Sequence, residues 1–539
     1  MLFPSETIQP IDSIPQLLEK ISTSVTSTAP AISFIKGSEE ASRLSYAEYL
    51  DAIECWSSYF LQLEIKPGDR VATLLKNRLE VPIIYLALMS IGAVVVPLNP
   101  SYSARELEFV LSDSAAVGVL TDDATARTAE RDFSRCRFVQ DIDAVQFGGK
   151  NRRSDFVPSK TSPAITLYTS GTTAFPKGVV QMHGNLLANA WSMVKALDIT
   201  APTQLSIMPF YHAHAVGFGM MTCLLTGGHL LVAERMDPLA WPKIIRALNV
   251  TLTSMVPNLL HLLERTAVRA VDVPTLRFIF VSAAPLPTHL AQSFETRSGI
   301  RIAHAWGLSE FTNFATCLPV TVQKDLRDHL MFGEATPCVG SCLDGVDVEV
   351  RLPDGSLARD GEIGELWVRG PSLTLGYHNN TQATADAIVD GWLRSGDEGY
   401  EIRREGKAFF FITDRIKDVI VRSGEKVSPM AVEAAIVDKV PSLVNNLVAL
   451  GFEHSLYGEE VGLVIEEQAA EGVMEDLKRA VESMPLRLRP KVVLCGHEII
   501  PRTHTGKIQR RLLKGSFKNY ASTVEAYRVE RIARGVERG

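Results

Sequence analysis

YTSGTTAFPKG, from Tyr168 to Gly178, is the stretch on which the reading of this chain turns. An apolar, strand-like run from Ala164 to Leu167 leads into it, and Thr169, Ser170, Thr172 and Thr173 then gather hydroxyls around one glycine. Gly171 permits a tight turn and a close backbone approach to an anion, while hydroxyls and backbone N–H groups supply donors. Lys177 adds a compact positive charge suited to phosphate. The Walker arrangement is excluded, because there the lysine follows its glycine and a Ser or Thr comes next. Here Lys177 precedes Gly178. The pattern reads as a phosphate-binding loop of another kind; a Ser/Thr/Gly surface turn is the plainer alternative.

Five further stretches stand out in order along the chain: MPFYHAHAVGF (Met208 to Phe218), Trp306-Gly307-Leu308-Ser309-Glu310, GELWVRGPSLTLGY (Gly364 to Tyr377), TDRIKDVIVRSGEKVSP (Thr413 to Pro429) and PRTHTGKIQR (Pro501 to Arg510). The third leads into Gly391-Trp392 and Ser395-Gly396-Asp397. With the first stretch they resemble, in the same order, the signature segments of the adenylate-forming superfamily: acyl- and aryl-CoA synthetases, carrier-protein adenylation domains and firefly-type luciferases. The resemblance runs from roughly residue 40 to residue 515. Ala431 replaces a Glu often found after the hinge proline, with no catalytic meaning, and three other positions depart from the usual pattern. Ala174 replaces the second glycine of YTSGTTGxPKG, Ser309 stands where Thr is usual, and Trp306 where Tyr is commoner. If position 174 needs a positive φ, alanine there costs on the order of 1 kcal/mol, enough to slow catalysis without abolishing it.

Composition narrows the class independently. At 539 residues the chain exceeds one typical core, so two or more domains are expected. A hydrophobic fraction of 46% and a charged fraction of 22% are those of an ordinary soluble globular protein. A net charge of −7, from 55 basic and 62 acidic residues, argues against a general nucleic-acid binder. Seven scattered cysteines without a CxxC pair fit reduced thiols in a cytoplasmic protein. The N-terminus lacks the basic and apolar regions of a signal peptide. Val81 to Leu98 is nearly free of polar groups, but Pro82, Gly92 and Pro97 punctuate it. It reads as a buried helix near Pro82 to Ser90, a turn at Gly92 and a buried strand from Ala93 to Pro97, with no stable membrane insertion.

Strand-like runs at Arg70 to Leu75, Ala116 to Thr121, Gly228 to Ala233 and Leu276 to Ser282 alternate with helical patterns such as Ser103 to Ser112 and Leu239 to Asn249. That alternation predicts an α/β fold with largely parallel sheets. Asp143 to Lys160 reads as an exposed connection ahead of the phosphate loop. Phe409 to Ile412 reads as a buried strand, and the chain restarts at Asp418 to Val421, then a helix from Pro429. The resemblance implies a large N-terminal adenylation core of stacked α/β sheets over 1–413, a hinge at 414–417 and a small mobile α+β lid over 418–539.

The resemblance also assigns roles. A carboxylate attacks the α-phosphorus of ATP to give an acyl-adenylate and pyrophosphate, and a thiol then displaces AMP. No protein nucleophile is needed; the protein supplies positioning and charge stabilisation. Thr169, Ser170, Gly171, Thr172, Thr173 and Lys177 would hold the β- and γ-phosphates, Glu310 would hold Mg²⁺, and Ser309 would reach the α-phosphate. Trp306, beside Gly307, would stack near the adenine, unless it is a core aromatic. Asp397 would accept from the ribose hydroxyls, although a turn aspartate is common, and Arg415 would reach the ribose or phosphates. Lys507 would bridge the attacking carboxylate and the α-phosphate during adenylation only; its plain alternative is a solvated charge. Lys417 falls at the hinge about which the lid rotates, and Gly424 would line a pantetheine tunnel or simply make a turn.

Amino-acid-activating domains carry an Asp, for the substrate ammonium, in the segment matching Met208 to Phe218, and none occurs there. His212, at the pocket mouth or as a packed histidine, and His214 instead resemble CoA ligases for uncharged acids. Ala283, Ala284, Ala305 and Phe311 would add an apolar wall. An uncharged aryl or medium aliphatic carboxylic acid is the expected substrate, and CoA the expected acceptor. A phosphopantetheinyl carrier protein is the alternative, and the resemblance leaves monomer or homodimer open.

Overall fold

The computed structural model describes residues 11–122, 125, 132–147, 154–169, 176–334, 336–422, 425–444, 446–466, 473–496, 500–502, 508–521 and 528–531. Four sheets organise them. In a nine-stranded sheet, Pro30–Lys36, His229–Ala233, Thr203–Ser206, Leu252–Met255, Phe278–Val281 and Ile302–Trp306 lie parallel in that spatial order. Antiparallel strands extend it at both edges. A seven-stranded sheet has a parallel centre of Pro163–Thr169, Val94–Pro97, Arg70–Leu74, Gly118–Thr121 and Phe138–Asp141. The α/β expectation therefore holds, as does the expected sequence of helix, turn and strand after Glu80. The helix Glu80–Ser90 is buried from Val81 to Met89, Gly92 turns with φ +79°, and Val94–Pro97 is a buried strand. Among the described residues no helix is long and apolar enough to cross a membrane.

Local chemistry explains where the helices begin. Ser103 accepts from the backbone N–H of Glu106, whose carboxylate accepts from Ser103 in return, so Ala104–Ser114 starts on a capping box. Ser45 and Glu48 do the same for Tyr46–Gln62. The helical pattern at Leu239 to Asn249 forms only over Trp241–Ala247, because Pro242 fits only the first turn of a helix. All seven cysteines carry free thiols.

A third sheet is antiparallel and carries the long hairpin Trp392–Arg404 and Lys407–Arg415. Past it lies a small C-terminal module, with a sheet of Ile420–Arg422, Glu425–Val427, Leu447–His454, Gly458–Glu466, Val492–Gly496 and Arg528–Arg531. Its helix Pro429–Val437 starts on Ser428, which accepts from the Ala431 N–H. One core cluster there runs from Ile420 to Cys495 and another from Val448 to Phe517; neither shares a buried residue with the clusters that precede Ile420.

Candidate active site

The strands that flank the first decisive stretch pair with each other. Pro163–Thr169 and Lys177–Met182 pair antiparallel, and Thr169 lies directly opposite Lys177 at the open end. Ser170, Gly171, Thr172, Thr173 and Ala174 lie outside the described residues. A loop that leaves and re-enters one sheet between paired strands differs from the Walker loop, which runs from a strand into a helix.

Glu310 reaches the same place from the other large sheet. It sits on a short turn, Ser309–Phe311, just beyond the C-terminal end of Ile302–Trp306. The carboxyl ends of parallel strands are where open α/β sheets bind ligands. Buried Gln181, on the hairpin, donates through Nε2 to the carbonyls of Ser309 (3.0 Å) and Thr312 (3.1 Å), fixing the turn to the hairpin strand. Gly307 is required by packing: a Cβ there would fall 1.8 Å from the Asn313 carbonyl oxygen and 2.5 Å from Phe314 Cα.

A third segment completes the cluster. Gly376–Tyr377 adds a short strand beside Lys177–Met182, with Gly376 opposite Val180 and Tyr377 opposite Val179. The Tyr377 hydroxyl donates to Glu310 Oε1 at 2.8 Å, and Lys177 Nζ lies 4.9 Å from the centre of the Tyr377 ring. Burial and the Glu310 carboxylate push the Tyr377 hydroxyl well above its ordinary pKa, so it is a protonated donor at any physiological pH. The stretch quoted from Gly364 ends on Tyr377, yet its role needs the pairing with a hairpin nearly 200 residues earlier.

Asp397 is buried and bound on both oxygens. Trp306 Nε1 donates to Oδ2 at 2.8 Å and Arg415 Nε pairs with Oδ1 at 2.5 Å. Asp397 and Arg415 are register partners in their hairpin, and Arg415 also donates to the Ser395 carbonyl. Trp306 is thus anchored by its ring edge. Lys417 is exposed just beyond, while Gly424 and Lys507 lie outside the described residues.

The histidine segment follows the strand Thr203–Ser206 of the nine-stranded sheet and runs into the helix Ala215–Met221. His214 is buried, its Nδ1 3.2 Å from Ser282 Oγ, with the rings of Phe218, Phe280 and Phe314 edge-on around it at 5.4–5.9 Å. Burial, with His212 nearby, lowers its pKa to about 3, so the ring is neutral near pH 7. His212 is half-buried against the Tyr211 ring. Ala283, exposed with φ +69°, and half-buried Ala284 follow the strand Phe278–Val281, and buried Ala305 lies on the adjacent strand. Phe311 is fully buried, and a Cβ at Gly370 would come within 3.2 Å of its ring.

A divalent metal can be tested against this donor set. Among the described residues no cluster of three or more His, Cys, Asp or Glu side chains could hold a metal ion. Glu310 is a half-exposed carboxylate that shares Tyr377 with Lys177, its hydroxyl on one side and its ring on the other. That fits Mg²⁺, which takes one or two carboxylates and completes its shell with phosphate oxygens and water.

Residues 21–378 match the model of the family described as AMP-binding enzyme. The chain is 28% identical over 517 residues to the long-chain-fatty-acid–CoA ligase of Bacillus subtilis, covering 86% of this chain and 88% of that protein. It is 29% identical over 500 residues to the oxalate–CoA ligase of Arabidopsis thaliana, covering 88% and 93%. The crystal structure of ATP-bound MatB from Rhodopseudomonas palustris superposes with a TM-score of 0.82 over 95% of this chain and 100% of that one, at 23% identity. The chain belongs to the AMP-binding enzyme family, within the adenylate-forming superfamily of acyl- and aryl-CoA synthetase-like proteins. It is an enzyme of that superfamily.

Proposed function

We propose that the chain is an AMP-forming acid–CoA ligase for an uncharged aromatic or medium-length aliphatic acid. The observation that carries this reading is the convergence of Lys177, Glu310 and Tyr377 from three segments, close to the Trp306–Asp397–Arg415 group. A lysine, a carboxylate and a bound aspartate, with no activated nucleophile beside them among the described residues, suit displacement at phosphorus better than covalent catalysis. In this reading the hairpin tip at 169–177 takes the β- and γ-phosphates of ATP, Ser309 reaches the α-phosphate, and Asp397 and Arg415 receive the ribose. Mg²⁺ held at Glu310 would neutralise phosphate charge when bound. Lys507 would neutralise the attacking carboxylate and α-phosphate during adenylation. Residues 1–413 would form the adenylation core and 418–539 a lid turning about 414–417, bringing Gly424 to the thiol path for the second step.

The acid is inferred from the histidine segment. Neutral His214 and its three phenylalanines set no charge beside the expected pocket, and burying a second carboxylate there would be costly. The relatives' names, CoA ligases for fatty acids and for oxalate, favour CoA over a carrier protein as acceptor. A cytoplasmic setting fits the seven free thiols. Pyrophosphate release from ATP and Mg²⁺, measured across aryl, fatty, dicarboxylic and amino acids with and without CoA, tests the whole reading. Release with one uncharged class and stimulation by CoA is expected. Release with amino or dicarboxylic acids alone would overturn the substrate class, and indifference to CoA would overturn the acceptor.

A further inference from the structure

Tyr377 is held more firmly than a surface aromatic needs to be. On its N-terminal side the Leu375 N–H donates to the Val180 carbonyl (3.1 Å), and on its C-terminal side the His378 N–H donates to the Gly178 carbonyl (2.7 Å). Its own N–H donates to Thr384 Oγ1 at 2.9 Å. Gly376 before it has φ +127°, and a Cβ there would meet the Thr384 methyl at 2.5 Å, so only glycine lets the chain enter at this angle. The Thr374 N–H donates to the Glu310 carbonyl at 3.1 Å, tying the same segment to the backbone that carries the carboxylate. From this mount the side chain makes two separate contacts: its hydroxyl with Glu310 Oε1 and its ring with the Lys177 ammonium.

We propose that Tyr377 is a positioning residue for nucleotide binding, its hydroxyl setting the Glu310 carboxylate for a divalent metal and its ring holding the Lys177 ammonium beside it. The hydroxyl occupies one carboxylate oxygen and so directs the other outward, as partners behind a metal ligand commonly do. The ring restrains a flexible four-carbon chain without neutralising its charge, leaving Lys177 free for phosphate. The inference rests on the reading of Glu310 as the metal ligand.

The test is calorimetric binding of ATP to the full chain, with Mg²⁺ and with the metal chelated, so that no turnover is read. Tyr377→Phe keeps the ring and removes one oxygen. It should weaken ATP binding about tenfold with Mg²⁺ present, the scale of one hydrogen bond to a charged group, and leave metal-free binding unchanged. Tyr377→Leu should weaken metal-free binding as well. Glu310→Gln separates the two ideas. If Mg²⁺ strengthens ATP binding as much in that variant as in the parent, the metal reading of Glu310 fails. If Glu310→Gln removes the Mg²⁺ increment but Tyr377→Phe keeps it whole, the role of Tyr377 is overturned. A double variant whose loss equals the sum of the two single losses overturns it too, because residues acting through one another are not additive.

Discussion

Replacing Asp397 by Asn changes one atom of a buried side chain and isolates what its charge does. The amide oxygen can still accept from Trp306 Nε1, so the indole contact at 2.8 Å survives. What is lost is the carboxylate facing Arg415 at 2.5 Å. Breaking a fully buried pair costs about 3–5 kcal/mol, but the Arg415 side chain keeps 31% of its exposure and water can recover part of its solvation, so about 1–3 kcal/mol is expected here. Nucleotide binding supplies a second, independent magnitude. A hydroxyl donating to a charged acceptor is worth about 1 kcal/mol more than one donating to a neutral acceptor, so two ribose hydroxyls predict about 2 kcal/mol, or roughly thirtyfold in Kd. The assay is titration of ATP and of 2′-deoxy-ATP into the parent and Asp397→Asn, alongside urea unfolding of both and of Arg415→Gln and the double variant. The parent should discriminate against the deoxynucleotide, and the variant should discriminate much less. Equal discrimination by both proteins would remove the ribose from Asp397. Additive losses in the unfolding cycle would mean that the pair with Arg415 carries no coupling energy.

Three other changes probe separate parts of the molecule. Lys507→Ala should suppress adenylate formation, followed by pyrophosphate release, while thioester formation from synthetic acyl-adenylate continues; equal loss of both steps would contradict the role assigned to that lysine. Gly307→Ala should cost several kcal/mol, on the order of a severe core mutation, since the new Cβ meets backbone rather than a movable side chain. Parent-like melting would show that the turn carrying Glu310 has room. Burial raises the pKa of Asp414 to about 6, although it accepts from Ser428 Oγ (2.7 Å) and the Met430 N–H and faces Arg510. The folded form therefore holds the proton more tightly than the unfolded one. That contribution to stability is complete below pH ~4 and lost as pH rises through about 6, a span worth about 3 kcal/mol. Asp414→Asn should remove this slope from urea midpoints measured between pH 4 and 7; an unchanged difference from the parent across that range would refute it.

What the sequence disclosed and what it withheld divide along physical lines. The strands at Arg70 and Gly118 and the helix from Glu80 were legible because their apolar pattern and breakers are local. The helix expected over Leu239 to Asn249 shrank because tertiary context and Pro242 set its ends. Lys177, Glu310 and Asp397 stand in recognisable motifs, as do Trp306 and Arg415, but the pairings among these residues and with Tyr377 were not legible. Trp306 and Asp397 are 91 residues apart, and Tyr377 and Glu310 are 67 apart. Such pairs depend on strand register between segments that carry no pattern of their own, Gly376–Tyr377 being a strand of two residues. His214 was legible as a histidine near the expected pocket, whereas its neutral state follows only from the three rings packed around it.

Charge explains why this arrangement points beyond itself. Lys177 and Arg415 bring two positive charges to the site and Glu310 and Asp397 two negative ones, so these four cancel, with Lys417 within electrostatic reach of Asp397 and Arg415. ATP brings about four negative charges and a carboxylic acid one more, and like charges approaching at phosphorus must be neutralised for displacement to proceed. Paired charges that cancel supply little of that neutralisation, and the cluster's work is of another kind. It orients Lys177 through the Tyr377 ring and commits Arg415 to Asp397, which favours geometry over charge. In the proposed function the remaining charge would come from a divalent cation at Glu310 and from a cation carried by another segment. Lys426 of the small module is committed to Glu398 at 2.5 Å, and Arg510 to Glu433 at 2.6 Å, so neither is spare for that purpose. In that reading Lys507, three positions before Arg510 in the sequence, would supply it. On a lid that turns as proposed, such a cation would be withdrawn when the thiol approaches the adenylate in the second step.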